Sequence, residues 1–280
     1  MKTINCAQIT EVVKKLCIDS NYFLGEDVLN AFENFKVHEK SLIGRDVFDN
    51  LLLNAKISKE ENIPMCQDTG MAVVFVEIGQ EVTVEGGNLT DAINLGVAKG
   101  YEEGFLRKSI VKDPLERENT GNNTPAIIHY DILPGNELKV TVAPKGFGSE
   151  NMSALKMLKP SEGIKGVKHF IIDTVKNAGP NPCPPIVVGV GLGGTMERAA
   201  FLSKKSLLRP VGQNSEKKHL KELERELLDK INALGIGPAG LGGSITALAV
   251  NIEAYPTHIA GLPVAVNLCC HALRHAEHTF

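Results

Sequence analysis

Pro64-Met65-Cys66-Gln67-Asp68-Thr69-Gly70 and the run after it, Ala72-Val73-Val74-Phe75-Val76-Glu77-Ile78, mark the point where the chain changes its hydrophobic period. Upstream, apolar residues recur at spacings of three and four through Ile9 to Cys17, Asp27 to Phe35 and Ser41 to Asn54, each the pattern of one helix face. Downstream they gather into short apolar runs bounded by turn residues, which is the pattern of strands: Ala72 to Ile78, Val82 to Val84, Ile127 to Ile132 and Leu138 to Ala143. The switch predicts an α+β fold in which a helical N-terminal layer, residues 1–62, precedes a mixed sheet-containing region. Working outward, the spacing predicts helices over Asn88 to Phe105, over Ile164 to Asn177 and from Thr195 through Leu207. Strands are predicted over Ile186 to Val190, Thr246 to Tyr255 and Pro263 to Leu268. Leu106 to Thr124 reads as loop, and the charged run Glu216 to Lys230 as a solvated helix face. No repeat or linker divides the chain, so a single domain over residues 1–280 is expected.

Composition narrows the class. The chain has 280 residues, 43% hydrophobic and 22% charged, with a net charge of −3, which describes an ordinary globular protein. Basic residues are scattered and outnumbered by acids, against a nucleic-acid-binding surface. No stretch has the length of a signal peptide core or a membrane span, so a cytoplasmic protein is expected, with no membrane partner. In a reducing compartment its six cysteines are expected as thiols, thiolate ligands or small core residues.

Three of the six stand in loops. Cys66 follows a proline and precedes Gln67-Asp68-Thr69-Gly70. Cys183 lies among Pro180, Pro182, Pro184 and Pro185, which restrict the chain to extended conformations and pre-position a ligand. Cys270 ends an apolar segment and opens the polar cluster His271, Arg274, His275, Glu277 and His278. They are 117 and 87 residues apart, so only a folded chain can unite them, and no Cys-x-x-Cys pair suggests a zinc ribbon. Strand alternation turns Cys269 away from Cys270 without deciding which of the two is the ligand. Cys6 and Cys17 fall on a helix and read as core. Asp68 suits acid/base work or equally an Asx-turn with its own backbone. Arg107 could hold a carboxylate, Lys145 to Asn151 could approach an anion through Gly146 and Gly148, and His258 could be a donor or a satisfied histidine.

Taken in order, Met65-Cys66-Gln67-Asp68-Thr69-Gly70, Arg107-Lys108-Ser109, Lys145-Gly146-Phe147-Gly148-Ser149-Glu150-Asn151, Asn181-Pro182-Cys183-Pro184-Pro185, Gly191-Leu192-Gly193-Gly194-Thr195, Pro256-Thr257-His258 and Cys270-His271-Ala272 resemble the class I, iron-sulfur fumarate hydratases and the related L(+)-tartrate dehydratases. The resemblance implies a cluster-binding domain whose Cys66, Cys183 and Cys270 ligate a [4Fe-4S] cluster with one iron open to substrate as a Lewis acid. It implies Asp68 as a catalytic residue beside the reacting centre, cooperating with a threonine of the C-terminal domain, and Gln67, Arg107, Gly148 and His258 as contacts to a small dicarboxylate. It also implies a separate beta subunit carrying the C-terminal domain and an assembly of alpha-beta pairs. Phe147 stands where relatives are expected to have glycine. A redox or sensor protein without catalysis is the competing class.

Overall fold

The computed structural model describes residues 1–280. The chain opens with β1 (Lys2–Asn5), α1 (Cys6–Tyr22), α2 (Glu26–His38) and α3 (Leu42–Glu61). Then come β2 (Met71–Gly79), β3 (Val82–Glu85), α4 (Leu89–Glu103), β4 (Ile127–Leu133), β5 (Leu138–Lys145), the single turn α5 (Phe147–Glu150) and β6 (Ala154–Leu158). The remainder is α6 (Gly163–Ala178), β7 (Ile186–Gly193), α7 (Met196–Lys205), α8 (Lys218–Asn232), β8 (Ala247–Tyr255), β9 (Leu262–Cys269) and β10 (Ala276–Thr279). Contacts divide the chain into two compact units. The first comprises 1–24, 54–147 and 274–280, and the second 25–53 and 148–273.

In the first unit a four-stranded sheet has the order β10-β5-β2-β4, with β2 parallel to β4 and antiparallel to β5. Helix α1 begins at a capping box, in which Asn5 accepts from the first turn and Gln8 reaches back to the Asn5 amide. It buries Ile9, Val13, Leu16 and Cys17 at helical spacing, and these join Val74, Val76, Val140 and Val142 of the sheet in one core. Helix α4 lies against α1 through glycines: a Cβ at Gly96 would stand 2.7 Å from the Thr10 carbonyl oxygen.

The second unit repeats the plan. Its sheet has the order β6-β9-β7-β8, with β7 parallel to β8 and antiparallel to β9. In both sheets the strand that comes first of the central three sits between the two that follow it, a repeat that left no trace in the sequence. Along β7, Val188 and Val190 face a core with Val264, Val266 and Leu268, while the alternate Gly189 and Gly191 face α7. A Cβ at Gly191 would lie 2.0 Å from the Ala199 carbonyl oxygen, so only glycine admits the helix at this distance. Helix α8 is not merely a solvated face. It buries Leu220, Leu223, Leu227 and Ile231, and Glu224 beside them accepts from Arg209 at 2.6 Å.

The predicted strands and helices are present, and the loop before Thr124 carries a lone bridge between Val111 and Asn119. Three short strands were not predicted. β1 pairs only with β3, and β6 and β10 each border their sheet. They take their strand form from a neighbour, not from their own apolar pattern. Of the three N-terminal helices, α1 belongs to the first unit, α2 to the second, and α3 passes from one to the other.

Candidate active site

The shared strand plan decides where the loops fall. Cys66 to Gly70 runs into the start of β2, and Met71 pairs with Lys145 at the end of antiparallel β5, so the Gly146-Phe147 turn must stand beside that loop. In the second unit Cys183 runs into the start of β7, and Val187 pairs with Cys269 at the end of β9, so Cys270 must stand beside Cys183. The same corner of each sheet therefore carries the cysteine loops singled out in the sequence.

At the first corner Asp68 is the hub. One carboxylate oxygen accepts from the Gly70 amide at 3.1 Å, the Asx-turn foreseen for it, and the other accepts from the Phe147 amide at 2.9 Å. Phe147 serves through its backbone while its ring is exposed, so this position makes no demand for glycine. The Asp68 amide points to the Cys66 sulfur at 3.4 Å, an N–H···S contact suited to a thiolate. Gly70 adopts a φ of +72° and its α-carbon lies so close to Lys145 that a Cβ would approach that residue's backbone to 2.6 Å. Gln67 and Arg107 are exposed. The Thr69 hydroxyl donates to the Arg107 carbonyl at 3.1 Å, which fixes the Arg107 segment next to the loop.

Behind the loop lies a buried layer the sequence did not disclose. The Tyr101 hydroxyl donates to the carbonyls of Thr69 (2.7 Å) and Gly70 (3.1 Å). Burial pushes its ionisation well above the ordinary tyrosine value, so it remains a donor. The Asn123 amide donates to Gly70 at 3.1 Å and its oxygen accepts from the amides of Ser109 and Ile110. Arg274 donates to the Asp68 carbonyl. Asn123 sits in Gly121-Asn122-Asn123, a turn signal within the segment Leu106 to Thr124 that the sequence marks as loop. Its φ of +59° fits that, but its complete burial is tertiary information.

At the second corner Cys183 is exposed and holds a φ of +54°, a left-handed conformation that costs a non-glycine residue about 1–2 kcal/mol. Its amide donates to the Pro180 carbonyl at 3.0 Å, and its own carbonyl faces the amide and Nδ1 of His271 at 3.3 and 3.1 Å. Pro184 accepts from the Ala239 amide at 2.7 Å. That glycine-rich segment is anchored in turn by buried Glu39, whose carboxylate accepts from the amides of Ser41, Ser244 and Ile245. Burial alone would raise the Glu39 carboxyl, yet these donors bring it below its ordinary value. Gly148 is exposed near this corner, 3.9 Å from the Asn181 carbonyl oxygen for an added Cβ. Cys270 is half-buried just beyond β9, and Cys269, its last residue, is buried.

His258 lies elsewhere. Its loop is tied to the far end of β7, where Gly194 donates to Pro256 and Thr257 donates to the Gly194 carbonyl at 2.9 Å. Eight strand residues at about 3.3 Å each put that end roughly 25 Å from the Cys183 corner of the same unit. His258 is exposed, and its Nδ1 accepts from the Ala260 amide at 3.2 Å, which leaves Nε2 to carry the proton of the neutral ring.

Accessibility separates the cysteines. Cys6, Cys17 and Cys269 are buried, and burial pushes the Cys17 thiol up to about 12, an inert core group. Cys66, Cys183 and Cys270 stand on loops and are at least partly accessible. Within neither unit do three His, Cys, Asp or Glu side chains converge on a single metal ion. The Asp68 amide aimed at the Cys66 sulfur suits a thiolate, and accessible thiolates are the soft donors that iron-sulfur units take.

The α+β chain thus keeps Cys6, Cys17 and Cys269 in the core and offers Cys66, Cys183 and Cys270 on loops, with a carboxylate beside the first of them. Comparison with known proteins gives its kind: the fumarate hydratase (Fumerase) family matches residues 10–279, and the chain belongs to that family. A protein of Methanocaldococcus jannaschii named "Putative L(+)-tartrate dehydratase subunit alpha" is 47% identical over 275 residues, 96% of either chain. The L(+)-tartrate dehydratase subunit alpha of Escherichia coli strain K12 is 32% identical over 283 residues, covering 98% of this chain and 93% of its own. The protein of the same name from Shigella sonnei has the same identity and coverage. No helix is long and apolar enough to cross a membrane.

Proposed function

We propose that this chain is the alpha subunit of a cytoplasmic iron-sulfur hydro-lyase that interconverts fumarate and (S)-malate, with Cys66, Cys183 and Cys270 as the protein ligands of a [4Fe-4S] cluster. The observation that carries the proposal is the Asp68 hub: a carboxylate fixed by two amides, two residues from a cysteine whose sulfur faces the Asp68 amide. When bound, a cluster with three thiolate ligands supplies one iron with an open position, a Lewis acid for a substrate oxygen. Asp68 then holds or moves the proton at the reacting carbons. Exposed Arg107 donates a pair of parallel hydrogen bonds to a substrate carboxylate. Gln67 and the Gly148 backbone complete the polar lining, and His258 donates through Nε2.

Since His258 stands a sheet's length from Cys183 and Cys270 of its own unit, we assign its contribution to a second alpha chain, within an assembly of alpha-beta pairs. The beta subunit supplies the remaining groups. A second reading, tartrate dehydration to oxaloacetate, is favoured by the names of the relatives.

The chain co-purified anaerobically with its beta subunit is expected to dehydrate (S)-malate, measured by the ultraviolet absorbance of fumarate, and the chain alone to show under about 1% of that rate. Preference for L(+)-tartrate in kcat/KM selects the second reading. Full activity of the chain alone, or none of the pair on either acid, contradicts the proposal.

A further inference from the structure

The least explained group in the first unit is Arg274. It is 5% exposed, its Nη2 donates to the Asp68 carbonyl, and its Nε and Nη1 are buried without any partner. Its hydrogen bond goes to a carbonyl and not to a carboxylate oxygen, and two of its buried donors lack an acceptor, a costly state that folded proteins avoid or use.

Its task is not to shape the loop. Tyr101 and Asn123 already hold the next two carbonyls, and two amides hold the Asp68 carboxylate. What Arg274 adds beyond the hydrogen bonds of Tyr101 and Asn123 is positive charge, alongside that of buried Lys145. It adds it through Asp68, whose amide faces the Cys66 sulfur on the other side. The residue also follows Cys270 by four positions.

We propose that Arg274 is the built-in counter-charge of the iron-sulfur site, a positioning residue that compensates the negative charge that three thiolates bring to a cubane core. The inference rests on the cluster proposed above. In the metal-free chain its Nε and Nη1 donors stay buried without an acceptor, so Arg274 costs stability without the cluster and adds retention with it.

Two substitutions in the complete complex test this. With Arg274→Met the cluster's midpoint potential, followed by electron paramagnetic resonance during redox titration, is expected to move to more negative values, since positive charge favours the reduced form. Iron loss to a chelator should quicken by about tenfold, the factor that corresponds to roughly 1.4 kcal/mol. Arg274→Lys keeps the charge and loses the fork, so it should retain the parental potential. Metal-free Arg274→Met should melt at or above the parental temperature, because an apolar side chain replaces buried donors that lack acceptors. An unchanged potential in Arg274→Met, equal shifts in Met and Lys, or a metal-free Met variant that melts well below the parent would each overturn the counter-charge role. A parental complex that takes up no iron at all would instead reject the cluster itself.

Discussion

Replacing Cys66, Cys183 or Cys270 singly by serine is expected to leave the complex colourless after anaerobic reconstitution, with most of its iron and sulfide lost and no measurable hydration. Cys269→Ser is expected to keep cluster and activity. The contrast follows from placement: the first three lie on loops at the two sheet corners, while Cys269 is the last buried residue of β9. Serine is nearly isosteric but is a hard oxygen donor in place of a soft thiolate, so it preserves the loop and removes the affinity. Asp68→Asn separates ligand from catalyst. The amide would turn a donor toward either the Gly70 or the Phe147 amide, where the carboxylate accepts from both. It is expected to retain iron and lose activity by roughly 10²–10⁴, the usual worth of a positioned acid/base. Iron retained in Cys270→Ser but lost in Cys269→Ser would reverse the assignment of that pair.

A complex assembled from two inactive alpha chains, one His258→Ala and the other Cys270→Ser, is expected to regain activity. Each variant alone carries a defect at every site. In a mixed pair one site draws its cysteines from the His258→Ala chain and its histidine from the Cys270→Ser chain, so it is intact. Random pairing then restores about a quarter of parental sites in a twofold assembly. The physical basis is the strand length between His258 and the cysteine corner of its unit. Activity that stays at background in the mixture, with mixed assemblies demonstrated by mass, would return His258 to its own chain's site or remove it from catalysis.

Much of this arrangement was legible in the chain itself. Helices with strong 3.6 periodicity, such as α1, and the valine-rich strands β2 and β7 announce themselves because burial on one face or both writes a pattern. The settings of Cys66 and Cys183 were legible, since the prolines around Cys183 and the Gln67-Asp68-Thr69-Gly70 turn after Cys66 are local chemistry, whereas alternation did not decide between Cys269 and Cys270. What stayed hidden is non-local. The common strand order of the two sheets depends on which strands pair, not on any segment's own composition. Edge strand β10, Ala276-Glu277-His278-Thr279, looks like a solvated end until its register with β5 is known. Tyr101, Asn123 and Glu39 become meaningful only through the backbone groups they meet, most of them far away in sequence. His258 shows the opposite limit. Its motif placed it with the substrate contacts, and only the sheet shows that its loop joins the opposite end of β7 from the Cys183 corner of its unit.

The most direct measurement is the Mössbauer spectrum of the 57Fe-loaded alpha-beta complex before and after addition of (S)-malate. An open iron held by no protein sulfur predicts that one of four irons changes its isomer shift and quadrupole splitting on binding, while the other three remain sulfur-ligated. Four irons that do not respond to malate at saturating concentration, or a complex without iron-sulfur absorption, would contradict the account.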